Sequence, residues 1–174
     1  MQFEWNGVFP AVTTKFKADD RLDMQLFEKN ISFQLQCGVD GIVLGGTLGE
    51  ASTLTWAEKE MLVRQALAVC NGKKPVIMNI AEGATAEAVK LAEAGRQWGV
   101  DGFMLLPPMR YKPDHREAVT YFKTVADAAE LPIMLYNNPV DYKTEITLDM
   151  FEELQACTNI TAVKESTRDV TNVA

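Results

Sequence analysis

The chain has 174 residues, 47% of them hydrophobic and 24% charged, which supplies enough apolar material for one core and excludes a disordered or fibrous protein. Its formal net charge is −7 and it has no basic stripe, which excludes a general nucleic-acid surface and an anionic-membrane surface, since both need clustered Lys and Arg. It has no apolar run of transmembrane length, and Met1-Gln2-Phe3-Glu4-Trp5-Asn6 lacks the basic and apolar regions of a signal peptide, so the cytoplasm is the expected compartment.

Apolar runs alternate with amphipathic stretches along the whole chain. The first run, 7–13, reads as a strand, and the stretch 23–37 opens on Asp23 as a helix does. Strand 41–45 is followed by a helix over 55–70, strand 75–80 by a helix over 85–98, and strand 102–106 by a helix over 114–129. Strand 132–136 precedes a helix over 147–156, and strand 160–164 comes last, with a further helix expected to start within 167–174. Continuous apolar strands separated by helices imply a parallel sheet covered by helices. Cys37, Cys70 and Cys157 are odd in number, widely spaced and set in or beside helices, the pattern of reduced small hydrophobes rather than a disulfide frame or a zinc site.

Internal similarity narrows the fold. Cys37-Gly38-Val39-Asp40-Gly41-Ile42-Val43-Leu44 is echoed by Trp98-Gly99-Val100-Asp101-Gly102-Phe103-Met104-Leu105, and Pro75-Val76-Ile77-Met78 by Pro132-Ile133-Met134. Repeated β/α units favour a (β/α)₈ TIM barrel over an open doubly wound sheet, and no Gly-x-Gly-x-x-Gly follows the first strand to indicate a dinucleotide site. A closed barrel needs eight strands and about 250 residues. Six are read here, so residues 1–174 are expected to be the N-terminal part of a single, longer barrel domain.

In such barrels the chemistry sits at the C-terminal ends of the strands. Those positions are Gly45-Gly46-Thr47-Leu48-Gly49-Glu50, the loop 79–83, Pro107-Pro108-Met109-Arg110-Tyr111-Lys112, Tyr136-Asn137-Asn138-Pro139, and Lys164-Glu165-Ser166-Thr167. The glycine-rich turn lets backbone N–H groups approach an anion, and Thr47 adds a hydroxyl; the alternative is a tight turn whose glycines only meet backbone requirements. Glu50 is placed to cap or pair at the next helix start. A lysine in water is protonated and a poor nucleophile, whereas one at the mouth of an apolar strand loses hydration, gives up its proton more readily and attacks carbonyls. Lys164 is such a lysine, or else a solvent-facing strand cap. Tyr136, at the preceding strand end, is its expected neighbour and carries a phenol that can shuttle protons. Glu165 should face away from Lys164 by strand alternation. His115 is the sole histidine and falls at a helix start, so a histidine triad or multi-histidine metal site is not expected.

Gly46-Thr47-Leu48-Gly49-Glu50, Tyr136-Asn137-Asn138-Pro139 and Val163-Lys164-Glu165-Ser166-Thr167 resemble, in order, three signatures of the dihydrodipicolinate synthase and N-acetylneuraminate lyase family of class I aldolases. The resemblance implies a (β/α)₈ barrel, commonly tetrameric, needing no cofactor or metal and acting on a small 2-oxo acid such as pyruvate. It makes Lys164 the Schiff-base nucleophile and Tyr136 the general acid/base. Thr47 would link Tyr136 to the substrate carboxylate, which would also meet the backbone around Gly46 and Leu48. Three positions depart from the family pattern. Many members carry a second Thr or Ser where this chain has Leu48. The lysine-pathway synthases have Tyr at the position of Arg110 and Arg at that of Asp141. An Asp in place of an Arg opposes an anionic second substrate, so a member distinct from authentic dihydrodipicolinate synthase is expected, an aldolase or dehydratase. The alternatives are a deaminase of the 1-pyrroline-4-hydroxy-2-carboxylate type and a non-catalytic binder of 2-oxo acids. Arg110 and Asn138 would then contact the distal end of the substrate.

Overall fold

The computed structural model describes residues 3–173, so Met1, Gln2 and Ala174, which enter the expectations about a leader and a last helix, lie outside the described residues. The chain forms two compact units, one of residues up to Asn79 with Gly95–Gly102, the other of Ile80–Ala94 with Phe103 onward.

In the first unit, α1 (Met24–Gln36) starts at Asp23, whose side chain accepts the Leu26 N–H. α2 (Trp56–Cys70) starts in a capping box, with Thr55 accepting from the backbone of Glu58 and Glu58 accepting from that of Thr55. This box takes the role expected of Glu50, which instead adopts a left-handed conformation after the short 3₁₀ turn Thr47–Gly49 and is exposed. α1 packs on α2, burying Phe27 and Ile31 from one and Leu62, Val63 and Ala66 from the other. β1 (Ile42–Leu44) pairs in parallel with β2 (Val76–Ile80), Val43 opposite Ile77, and every residue of both strands is buried. That is why these strands read as unbroken apolar runs.

The run 7–13 does not form the expected first strand. It lies beside β1, with Val43 N–H donating to Pro10 O and Val12 N–H to Val43 O, but only a single bridge forms, Ala11 to Val43. Pro10 has no N–H to give, and Gly7 turns the chain at φ +92°, so the ladder cannot lengthen.

In chain order β2 is followed by α3 (Thr85–Trp98) and β3 (Gly102–Leu105). From Phe103 onward the second unit contains the rest of β3, α4 (His115–Ala129), β4 (Ile133–Asn137), α5 (Pro139–Tyr142), α6 (Leu148–Leu154) and β5 (Ile160–Glu165), with β3 beside β4 and β4 beside β5, all parallel. α4 has its own capping box, Asp114 with Glu117, and buries Ala118, Tyr121, Phe122, Val125 and Ala129. α6 is shorter than the stretch 147–156 suggested, buries Met150 and Leu154, and packs on α4. His115 Nε2 lies 2.6 Å from Glu153 Oε1 there, on the surface. In place of the last expected helix, the described residues hold a four-residue 3₁₀ turn, Val170–Val173.

Among the described residues no helix is long and apolar enough to cross a membrane, and no group of three His, Cys, Asp or Glu side chains could hold a metal. The three cysteines are free, Cys37 exposed and Cys70 buried. Burial, then the Asp101 carboxylate, push the Cys70 thiol up to about 11.

Gly7 yields a test of backbone strain. A Cβ there would meet Asp40 Oδ2 at 1.9 Å, displacing the carboxylate from the Val8 N–H (2.9 Å) and from Lys74 Nζ (3.2 Å). Gly72, at φ +68°, has nothing within 4 Å of its missing Cβ. Left-handed backbone costs an L-residue about 1–2 kcal/mol, roughly 2–8 °C in a chain of this size. Gly72→Ala is expected to lower the thermal midpoint by that amount and Gly7→Ala by more; equal losses would show that the contact with Asp40 is immaterial.

Candidate active site

Tyr136 and Lys164 come together because of ladder register. In a parallel pair each residue shares its face with the residue opposite, so one step decides which side chains meet. β4 and β5 begin with Ile133 opposite Ile160, but Met134 stands opposite Ala162, a shift of one residue that leaves Thr161 without a ladder partner on β4. From there Leu135 faces Val163, Tyr136 faces Lys164, and Asn137 faces Glu165. Without the shift Tyr136 would stand opposite Val163 and Lys164 would project from the other face. The result is direct contact: Lys164 Nζ lies 3.9 Å from the centre of the Tyr136 ring. Both side chains are half-buried.

The opposite face of the same strands carries a polar clamp. Asn137, 2% exposed, accepts the Ile146 N–H on Oδ1 at 2.9 Å and donates from Nδ2 to Ile146 O at 3.3 Å. The same Nδ2 donates to Glu165 Oε2 at 2.9 Å, while Glu165 Oε1 accepts the Thr167 N–H at 2.7 Å. Ser166 N–H donates to Asn137 O at 2.8 Å, extending the ladder beyond β5. Burial pushes the Glu165 carboxyl up, yet the hydrogen bonds from Thr167, Asn137 and Ser166 together hold it below its ordinary 4.5. Glu165 thus faces away from Lys164, as alternation requires, and pins the segment on which Lys164 sits. Sequence reading missed Asn137; the available signal was its place beside Tyr136 in an alternating strand.

A cleft of about 560 Å³ opens at this strand end, lined by Tyr136, Asn138, Asp141, Glu165, Thr167 and Arg168 among others. Asn138 is buried and caps α5 with Pro139 in the first turn. Its Nδ2 donates to Tyr136 Oη and to Asp141 Oδ2. Arg110 lines a different cleft of the same unit, about 710 Å³, with Gly83, Pro108, Tyr111, Arg116 and Tyr121. Burial, then Glu82, hold the Tyr121 phenol above its ordinary 10.0, which suits it to packing.

The remaining expected residues, Gly46, Thr47 and Leu48, belong to the first unit. Gly46 precedes the 3₁₀ turn, and the N–H groups of Gly49 and Glu50 close it on Gly46 O and Thr47 O. A buried Asn79 donates to Gly45 O at 2.9 Å and Thr14 Oγ1 to Gly49 O at 2.6 Å, so the turn is held from both sides. Thr47 and Leu48 are exposed, Leu48 at 76%.

Comparison with known proteins gives consistent matches. The sequence model of the Dihydrodipicolinate synthetase family matches residues 4–174. The 4-hydroxy-tetrahydrodipicolinate synthase of Methanoculleus marisnigri is 35% identical over 172 residues, covering 98% of this chain and 59% of that protein. The crystal structure of dihydrodipicolinate synthase from Aquifex aeolicus superposes with a TM-score of 0.92 at 35% identity, over 97% of this chain and 58% of that one. A prophage protein of E. coli K12, of the dihydrodipicolinic acid synthase family and solved in complex with pyruvate, matches with a TM-score of 0.90 at 29% identity, over 96% of this chain and 56% of its own. The chain therefore spans between half and two thirds of the length of these relatives.

Removing the clamp should be felt at once. Asn137→Ala strands the Ile146 N–H and carbonyl together with one Glu165 oxygen, and a buried group left unsatisfied costs about 1–3 kcal/mol. A fall of that size in denaturant unfolding is expected, and an unchanged midpoint would count against the clamp. Because the folded Glu165 carboxyl lies below its ordinary value, its charged form stabilises the fold above that value, and the contribution is lost as pH falls through the folded one. Glu165→Gln should flatten the acid side of the stability profile, below about pH 4.5.

Proposed function

As the chain belongs to the dihydrodipicolinate synthetase family and carries part of its (β/α)₈ fold, we propose that the protein is a Schiff-base-forming lyase for pyruvate or another 2-oxo acid. The observation that carries this reading is the Tyr136–Lys164 pair, an amine and a phenol on facing positions of adjacent strand ends.

The chemistry follows from those two groups. The Lys164 lone pair forms a bond to the C2 carbonyl carbon, and the C=O π pair moves onto oxygen, which takes a proton from Tyr136. The nitrogen gives up a proton in turn, so a neutral carbinolamine stands beside the phenol. A second proton from Tyr136 lets the hydroxyl leave as water while the nitrogen lone pair closes the iminium. In an aldolase the iminium then accepts the electron pair of the C3–C4 bond as it breaks. In a dehydratase it accepts the pair of a C3–H bond whose proton passes to the Tyr136 phenolate, and the enamine so formed expels the C4 hydroxyl, which leaves as water with that proton. No metal or organic cofactor is needed for this sequence. By the family resemblance, Thr47 and the backbone at Gly46 and Leu48 are the proposed contacts for the substrate carboxylate; Arg110 lines a separate cleft from Tyr136, so it is not proposed for the distal end.

The Methanoculleus marisnigri and Aquifex aeolicus relatives are named as 4-hydroxy-tetrahydrodipicolinate and dihydrodipicolinate synthases, and we assign this chain a different second half-reaction. Asp141 supports that assignment: it lines the cleft together with Glu165 and Asp169 against the one guanidinium of Arg168, a lining of net negative charge that opposes a carboxylate on the incoming partner. A hydroxylated or uncharged distal end fits better, as in 4-hydroxy-2-oxo acids. We further propose that the protein works as a cytoplasmic homo-oligomer.

Reduction with borohydride in the presence of pyruvate should fix a covalent adduct on Lys164. Lys164→Ala should take up none, and Tyr136→Phe should slow trapping by about 10²–10⁴-fold, the usual worth of a positioned acid/base. Folded protein that takes up no adduct would end the lyase reading. A panel of 2-oxo acids and cyclic imines then separates aldol cleavage, dehydration and deamination; turnover of aspartate semialdehyde with pyruvate would overturn the assignment drawn from Asp141.

A further inference from the structure

Asn138 is only 4% exposed, and its amide makes three hydrogen bonds at the site. Oδ1 accepts the Asp141 N–H at 3.3 Å, while Nδ2 donates to Asp141 Oδ2 at 2.7 Å and to Tyr136 Oη at 3.1 Å. A backbone N–H can only donate, so the atom facing it is the carbonyl oxygen, and the amino group must be the one that reaches the phenol. Both amino hydrogens are therefore engaged inside the protein. A substrate would meet at most one lone pair on Oδ1, so the distal substrate contact expected of Asn138 gives way to another task.

An N–H directed at Oη makes the phenol oxygen an acceptor on that side, and the phenol's own proton must point elsewhere. The ring is also held by its neighbours. Tyr142 meets it edge-on, with centroids 5.5 Å apart at 78°, and Lys164 Nζ lies over its face. Asp141 completes the arrangement from an exposed position, gripping Asn138 at both ends of the amide.

Building on the reading of Tyr136 as the proton shuttle for Lys164, we infer that Asn138 and Asp141 are a positioning pair for the tyrosine. Asp141 fixes the Asn138 amide, and the amide fixes the phenol with its O–H turned away from Asn138. When Tyr136 gives its proton to the substrate oxygen, the phenolate left behind keeps the Asn138 N–H as a donor. When it takes a proton back from the nitrogen, the starting arrangement is restored. The pair touches the tyrosine rather than the substrate, so its loss should slow proton transfer without weakening substrate binding.

The test uses four proteins, wild type, Asn138→Ser, Asp141→Leu and Asp141→Asn, with borohydride trapping measured against pyruvate concentration. Serine keeps a cap acceptor for the Asp141 N–H but cannot reach Oη. Asparagine at 141 keeps an acceptor for the Asn138 amide, and leucine does not. The expected result is a saturating rate lower by about tenfold to a hundredfold in Asn138→Ser and Asp141→Leu, part of the worth of the acid/base itself. The half-saturating concentration should stay within about twofold, and Asp141→Asn should recover most of the rate. A wild-type rate in Asn138→Ser, a loss confined to half-saturation, or equal rates in Asp141→Asn and Asp141→Leu would overturn the inference. If Asn138→Ser fails to fold, the two Asp141 variants decide alone. Wild-type protein that takes up no adduct removes the lyase reading and this inference with it, an outcome distinct from trapping that ignores the variants.

Discussion

Everything assigned to the strand end of the second unit depends on the register between β4 and β5. Parallel strands offer no local turn to set their alignment, so it must be specified by side chains along the ladder. The buried Asn137 amide does this at one end, bonded both to Ile146 and to Glu165 across the ladder. A slip of one residue would break those bonds and also turn Lys164 to the face that now carries Asn137 and Glu165. The structural clamp and the candidate chemistry are two sides of one constraint, separated by the thickness of a sheet.

Such division of labour has an energetic logic. A reactive amine needs a partly apolar setting that still admits a substrate, so its own surroundings cannot be tightly packed. Lys164 and Tyr136 are half-buried, while the polar groups that hold them, Asn137 and Asn138, are nearly inaccessible. Buried and fully bonded amides are rigid because every alternative leaves a polar group unsatisfied. Rigidity is thus placed behind the reacting groups, and access in front of them.

The strands and long helices were legible in the sequence because each is governed by one dominant signal. Fully buried strands such as Val76–Ile80 read as apolar runs, and helices starting at Asp23, Thr55 and Asp114 read from their caps. The run 7–13 misled because apolar content does not reveal that Pro10 removes a donor in mid-ladder. α5 was missed although Asn138 followed by Pro139 is a helix-start signal; four residues are too few for any periodicity. At the site, adjacency of Tyr136 and Lys164 followed from consecutive strand ends. The one-residue shift at Met134 could not be read, because a bulge depends on pairing rather than on composition. The bonds of Asn138 lay out of reach for the same reason: they join residues whose proximity only a folded turn creates.

The three free cysteines differ in accessibility and so in reactivity. Thiol reactivity follows the thiolate, and Cys70, buried and shifted up to about 11, is almost wholly protonated in neutral solution. Burial and the Asp127 carboxylate also raise the Cys157 thiol, while Cys37 sits exposed just after α1. A mild electrophile would therefore find one accessible sulfur well before the other two. The native chain thus carries its own attachment point for a spectroscopic label on the first unit, just after α1, and needs no engineered site.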